Sequence, residues 1–128
     1  MNWIWVALGS AGGGLARYAV AEWMGRLSSG PFPWGTFLVN ALGAFLIGLL
    51  GAWSMPGGKW MIADAPKHFL IVGVLGGFTT FSAFSFQTFA LLQKGDWGLA
   101  MANVLGSILT CLALVFAGWW IAIQVNRL

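Results

Sequence analysis

Between Gly76 and Phe84 the chain reads GGFTTFSAF, inside a run from Phe69 to Leu92 that has no charged residue over 24 positions. Two glycines, two threonines and a serine are unusual in so apolar a setting. Hydrocarbon tolerates a polar or interrupted backbone only where protein or a water-filled cavity covers it, so this stretch should face inward, toward a partner or a pore. The Gly-Gly and Thr-Thr pairs predict a helix broken into two halves around Phe78 to Thr80, an arrangement that commonly makes ion sites near the membrane midplane. An unbroken helix with packing glycines is the other reading. Phe81 and Phe84 lie three apart on one face of the second half, where spacing alone indicates core packing.

Four further polar side chains, Asn103, Ser107, Thr110 and Cys111, fall at i, i+4, i+7 and i+8 and so share a helix face. Such a line within a membrane calls for a partner or a path; hydrogen bonds between helices would also account for it. Asn40 is the only strongly polar side chain between Phe37 and Met55. Arg17 lies within the first apolar segment, where it either snorkels to the interface or turns inward as a charge that attracts anions. With one histidine and one tyrosine, little acid-base chemistry is on offer, and a single cysteine, Cys111, allows neither an internal disulfide nor a cysteine metal cluster. No enzyme activity is expected.

The elements that position these residues are membrane helices. Hydrophobic residues make up 59% of the 128 and charged residues 7%, against about 25% charged in soluble domains. Nine tryptophans and ten phenylalanines suit the water-hydrocarbon boundary and helix packing. The net charge of +3 comes from six scattered Lys and Arg residues, which argues against a nucleic-acid surface.

Residues 1–128 read as a single all-α membrane domain with four helices, at about 3–26, 34–55, 67–94 and 97–124, the third broken near 77–80. Trp3 to Ala16 is an uncharged stretch of fourteen, short of the roughly 20 residues a spanning helix needs, so the first helix continues through Arg17. No basic segment precedes it, as a signal peptide would require. Gly12, Gly13 and Gly14 permit close helix approach, and no GK[ST] follows to make them a nucleotide loop. Ser28 to Pro33 is a turn rich in Ser, Gly and Pro. Ala44, Gly48 and Ala52 form a smooth stripe for another helix, Pro56 to His68 is the longest polar connection, and Lys94-Gly95-Asp96 is a tight turn.

Four spans put both termini and the second connection on one side, with Lys59, Lys67 and Arg127 there against Arg26 and Lys94 opposite. Because Lys and Arg asymmetry sets orientation, three against two predicts insertion both ways. Four helices with one polar face do not readily enclose a path alone. An antiparallel homodimer is therefore expected.

Taken together, GGGLAR in the first helix, PWGTFLVN opening the second, GGFTTFSAFS in the third and NVLGS in the fourth resemble the Fluc (CrcB) family of fluoride channels. The resemblance spans essentially the whole chain, and the third-helix motif is its most specific part. It implies a dual-topology homodimer with two fluoride pores of opposite orientation. It also implies a structural sodium ion at the dimer centre, held by backbone carbonyls that would here belong to Gly76 and Thr79, and no organic cofactor.

The family's pore phenylalanines would be Phe81 and Phe84, offering positive ring edges to the anion. Fluoride gives up water reluctantly, so donors must replace its hydration shell. The candidates are the amide of Asn40 and the hydroxyls of Ser82, Ser85, Ser107 and Thr110. Of these, Asn40 and Ser107 match family pore positions, and Thr36 belongs to the same second-helix motif. Asn103 occupies a position that varies in the family, and Arg17 resembles its vestibule arginine. Two departures stand out: Gln87 replaces a glutamate, and Cys111 replaces an expected threonine with a weaker donor.

The implied function is passive fluoride export across the inner or plasma membrane, conferring fluoride resistance. The main rival is a small proton-coupled multidrug exporter, which needs a titratable carboxylate in mid-membrane; Glu22, the only acid of the first helix, lies near its end. A third reading is an accessory membrane subunit whose glycine faces serve assembly.

Overall fold

The computed structural model describes residues 2–55 and 64–127. Lys59, which entered the charge balance, and most of the second connection lie outside them. The elements are α1 (Asn2–Leu27), α2 (Trp34–Trp53), the short α3 (Asp64–Lys67), a π-helical segment (His68–Leu75), α4 (Gly76–Phe78), α5 (Phe81–Gln93) and α6 (Trp97–Arg127). All regular structure among the described residues is helical.

Three lengths of chain, Trp34–Trp53, Ala65–Gln93 and Trp97–Arg127, are long and apolar enough to cross a membrane. At 26 residues, α1 reaches about 39 Å by helical rise. Its charges gather toward the C-terminal end, where Arg26 Nη2 donates to Glu22 Oε1 at 2.6 Å in an exposed pair one turn apart.

The helices pack as two close pairs, α1 against the π-helical segment and α4, and α2 against α6. Glycine makes the first pair possible. Gly9 and Gly13 on α1 face Gly73 and Gly77, four residues apart on each side, and the backbones touch: a Cβ added at Gly9 would lie 2.5 Å from the Phe69 carbonyl oxygen. Of the three consecutive glycines only Gly13 is in this seam, while Gly12 and Gly14 have open space beside them. In the second pair, Ala44, Gly48 and Ala52 are buried; Gly48 meets the Val115 backbone and Gly118 meets the Phe45 backbone. The small-residue stripe of α2 thus packs on α6.

The second half of the broken helix is held differently. Leu91 is the only buried residue of α5, and Phe81, Phe86 and Phe89 project outward. Water would penalise such a surface by about 25 cal/mol per Å². Lipid or another protein surface must cover it.

The π-helical turns, eight residues from His68 to Leu75, have no counterpart in the sequence reading. Wider turns of this kind are uncommon and frequent at functional sites. Here they run into α4, whose three residues lead to the helix break.

Candidate ion pathway

The break consists of two extended residues. Thr79 has φ −78° and ψ 155°, and Thr80 has φ −152° and ψ 117°. Both are β-branched, which favours this region over helix. The first half closes on Leu75, whose carbonyl accepts from both Thr79 N–H and Thr79 Oγ1 at 3.0 Å. The second half opens on a cap: Thr80 Oγ1 accepts from Ala83 N–H at 3.2 Å, the ordinary role of threonine at a helix N-terminus.

Between these ends, Asn40 of α2 bridges the interruption. Its Oδ1 accepts from Thr80 N–H at 2.8 Å, and its Nδ2 donates to the Thr80 carbonyl at 3.0 Å. One turn along, Gly43 gives room to the Thr79 side chain, since a Cβ there would collide with the Thr79 methyl. In an unbroken helix the N–H of Thr80 would serve the Gly76 carbonyl and that of Ala83 the Thr79 carbonyl. Both donors are diverted, to Asn40 Oδ1 and Thr80 Oγ1. The interruption thus frees the carbonyls of all four residues 76–79 from their usual helical donors, Gly76 and Thr79 among them.

A cleft of about 450 Å³ runs beside the break. Asn40, Gly76, Thr79, Phe81, Phe84, Ser107 and Cys111 line it, together with aliphatic side chains. The Phe81 and Phe84 rings lie 5.5 Å apart, tilted by 41°. A mostly apolar wall with a few convergent polar groups is the usual form of a small-ligand site. Two separate stretches, GGFTTFSAF on the broken helix and the Ser107 face on α6, thus line one cleft together with Asn40 of α2.

Other candidates lie elsewhere. Ser82 is exposed and shares a hydrogen bond with Thr80 Oγ1 at 3.2 Å, while the exposed Ser85 donates to the Phe81 carbonyl at 2.9 Å. Neither lines the cleft, and neither does the half-buried Thr110 or Arg17 of α1. Asn103 is only 1% exposed. Its Nδ2 donates to Thr88 Oγ1 at 2.8 Å, Thr88 Oγ1 donates to the Phe84 carbonyl at 2.8 Å, and Ser107 Oγ donates to Asn103 Oδ1 at 3.4 Å. Asn103 is thus a tie between α5 and α6, set behind two cleft residues rather than beside them. Gln87 borders a smaller cleft of about 190 Å³ against the start of α2. Its Oε1 is buried without a hydrogen-bond partner.

Sequence reasoning missed Gly43 and Thr88, and it named Thr80 only as an edge of the break. Thr88 carried a usable signal, because it stands four residues after Phe84 and seven after Phe81, on their face of α5. The bond of Thr80 to Asn40, like the role of Gly43, carried no signal, because both depend on which helix crosses the break.

The chain matches the family model described as CrcB-like protein, Camphor Resistance (CrcB), over residues 4–119. It is 43% identical over 126 residues to the fluoride-specific ion channel FluC of Opitutus terrae, covering 98% of this chain and 96% of that one. A protein of the same name from Thermus thermophilus is 48% identical over 119 residues, 92% of this chain and 91% of that one. A third, from Methylocella silvestris, is 38% identical over 128 residues, all of this chain and 98% of its relative. With the match running nearly end to end and including the broken helix, the chain belongs to the CrcB family.

Proposed function

We propose that the protein is a fluoride channel through which the anion leaves the cell down its electrochemical gradient, giving fluoride resistance. The observation that carries this reading is the meeting of Phe81, Phe84, Asn40 and Ser107 in one cleft beside the helix break, in a chain whose relatives are named fluoride-specific ion channels. Ring edges and a fixed amide N–H favour an anion. The apolar wall leaves it few other partners, so the site discriminates by how well these groups replace its water. Conduction of this kind is passive and needs no catalytic group.

The multidrug-exporter alternative lacks support. Glu22, the acid it would use, is paired with Arg26 at the exposed end of α1. That is the wrong depth for a proton-coupled cation site.

The dimer and its sodium belong to the same reading. Phe81 is 79% exposed in the protomer although it lines the cleft. One protomer therefore leaves a wall of the pathway open, and a second, antiparallel copy would close it. Gly76 is exposed and has no neighbour within 4 Å of where a Cβ would stand. The residues fit a sodium site formed between copies, because a hard cation takes oxygen ligands and the Gly76 and Thr79 carbonyls are among the four that the break frees from helical donors. Two carbonyls from each copy would hold the ion, and the ion would supply positive charge at the centre. Ser82, Ser85, Thr110 and Asn103 remain candidate pathway residues of the assembled channel, with Arg17 at its mouth. We place the dimer in the cell's inner or plasma membrane, inserted in both orientations.

The test is fluoride efflux from liposomes containing the purified protein, followed with a fluoride electrode. Rapid fluoride release with chloride retained supports the channel. Comparable release of both ions, or of neither, overturns it.

A further inference from the structure

Asn40 has two relations at once, one to the cleft it lines and one to the backbone of Thr80. A side-chain amide carries two donor hydrogens and one acceptor oxygen. Oδ1 is taken by Thr80 N–H at 2.8 Å and one hydrogen of Nδ2 by the Thr80 carbonyl at 3.0 Å, between residues 40 apart in sequence. A single N–H is left over. The amide also has a fixed sense: turning it over would set Nδ2 against Thr80 N–H and Oδ1 against the Thr80 carbonyl, replacing two hydrogen bonds with two repulsions.

The reverse dependence is equally direct. Thr80 can stay extended only if its N–H finds a partner outside the helix, since a buried backbone donor left unpaired is costly, and Thr80 is a buried residue. Asn40 is that partner. Gly43, three residues along the same face of α2, receives the Thr79 side chain. Both extended residues are thus gripped by one short face of α2.

We infer that Asn40 is the positioning residue of the helix break, and that Thr80 in turn locks the Asn40 amide so that the cleft meets one N–H donor and no free amide oxygen. The two functions are separable in principle. Holding Thr80 extended requires the acceptor Oδ1 and a donor to the Thr80 carbonyl, whereas serving an anion requires the spare hydrogen. The inference rests on the proposed reading of the cleft as a fluoride path, but its structural half can be measured without ion flow.

The experiment compares the full-length protein in liposomes with Asn40→Ala and Asn40→Asp, reading amide hydrogen exchange over residues 76–84 alongside fluoride efflux. The side chain in Asn40→Asp keeps an oxygen for Thr80 N–H and, when protonated, an O–H for the Thr80 carbonyl. It has no spare donor. Read at a pH low enough to keep that carboxyl protonated, exchange at Thr80 should therefore stay within about twofold of wild type at the same pH while efflux falls by roughly a hundredfold or more. In Asn40→Ala, exchange at Thr80 should accelerate on the order of tenfold and efflux should also be lost. If Asn40→Ala does not assemble, Asn40→Asp decides alone.

Wild-type exchange at Thr80 in Asn40→Ala overturns the inference, as does near-wild-type efflux or unprotected Thr80 in Asn40→Asp. A wild-type protein that releases no fluoride instead overturns the channel reading, whatever the exchange shows.

Discussion

Phe81 keeps 79% of its surface outside the protomer, so its ring contributes little to folding one copy while forming part of the cleft. Phe81→Ile retains apolar bulk and removes the positive ring edge. We expect fluoride efflux to fall at least about tenfold, with the protomer's unfolding free energy changed by roughly 0.5 kcal/mol or less. Efflux and denaturant unfolding measured on the same preparation separate the two effects. Asn103 is the opposite case. It is almost completely enclosed and bonded to Thr88, so its removal acts through α5. A double-mutant cycle of Asn103→Ala and Thr88→Val should give a coupling energy of about 0.6 kcal/mol, the usual size for hydrogen bonds between membrane helices. Independent effects would show that the bond does not tie α5 to α6.

At the scale of elements, the seam between α1 and the π-helical segment works only with hydrogen at its contact points. Gly13 abuts the Val74 carbonyl and Gly77 the Ser10 backbone. Gly13→Leu should push the two backbones apart at a cost of about 3 kcal/mol or more, whereas Gly12→Ala, with open space beside it, should stay within roughly 0.5 kcal/mol. Unfolding midpoints and the yield of monodisperse protein check the contrast. This seam also sets the approach to the break, because the π-helical turns run directly into α4. α5 is attached more sparsely, through the cap at Thr80, the Asn40 clamp and the Thr88–Asn103 bond. Its exposed phenylalanines make it the element most dependent on what surrounds the protomer.

For the whole molecule, the proposed second copy would cover the open side of the cleft and the outward face of α5. Chemical cross-linking in membranes should trap a dimer, and a tag at the C-terminus should be accessible from both faces of the membrane if insertion is dual. If sodium sits between the copies, replacing it with a large organic cation should lower the dimer's thermal midpoint, since a ligand bound only to the assembled state stabilises it by mass action. An unchanged midpoint across a wide range of sodium concentration would remove sodium from the picture without touching the channel reading.

Composition and periodicity by themselves determined the membrane setting, the helical class and the suspicion attached to Gly76–Phe84. The reason is physical: hydrocarbon enforces long apolar runs and makes every polar interruption conspicuous. The seam glycines could be seen but not chosen among, because Gly12, Gly13 and Gly14 differ only in which one meets another backbone. The fluoride and sodium assignments came from resemblance, since carbonyl ligands and ring edges leave no side-chain signature. Only the tertiary structure decided that Asn40 clamps Thr80, that Gly43 seats Thr79 and that Asn103 stands behind the cleft. Those facts depend on how α2 and α6 cross a helix that is interrupted, and no spacing along one chain records a crossing between distant segments. The stretch from Gly76 to Phe84 was marked by its own residues. What holds it open comes from 40 residues earlier in the chain.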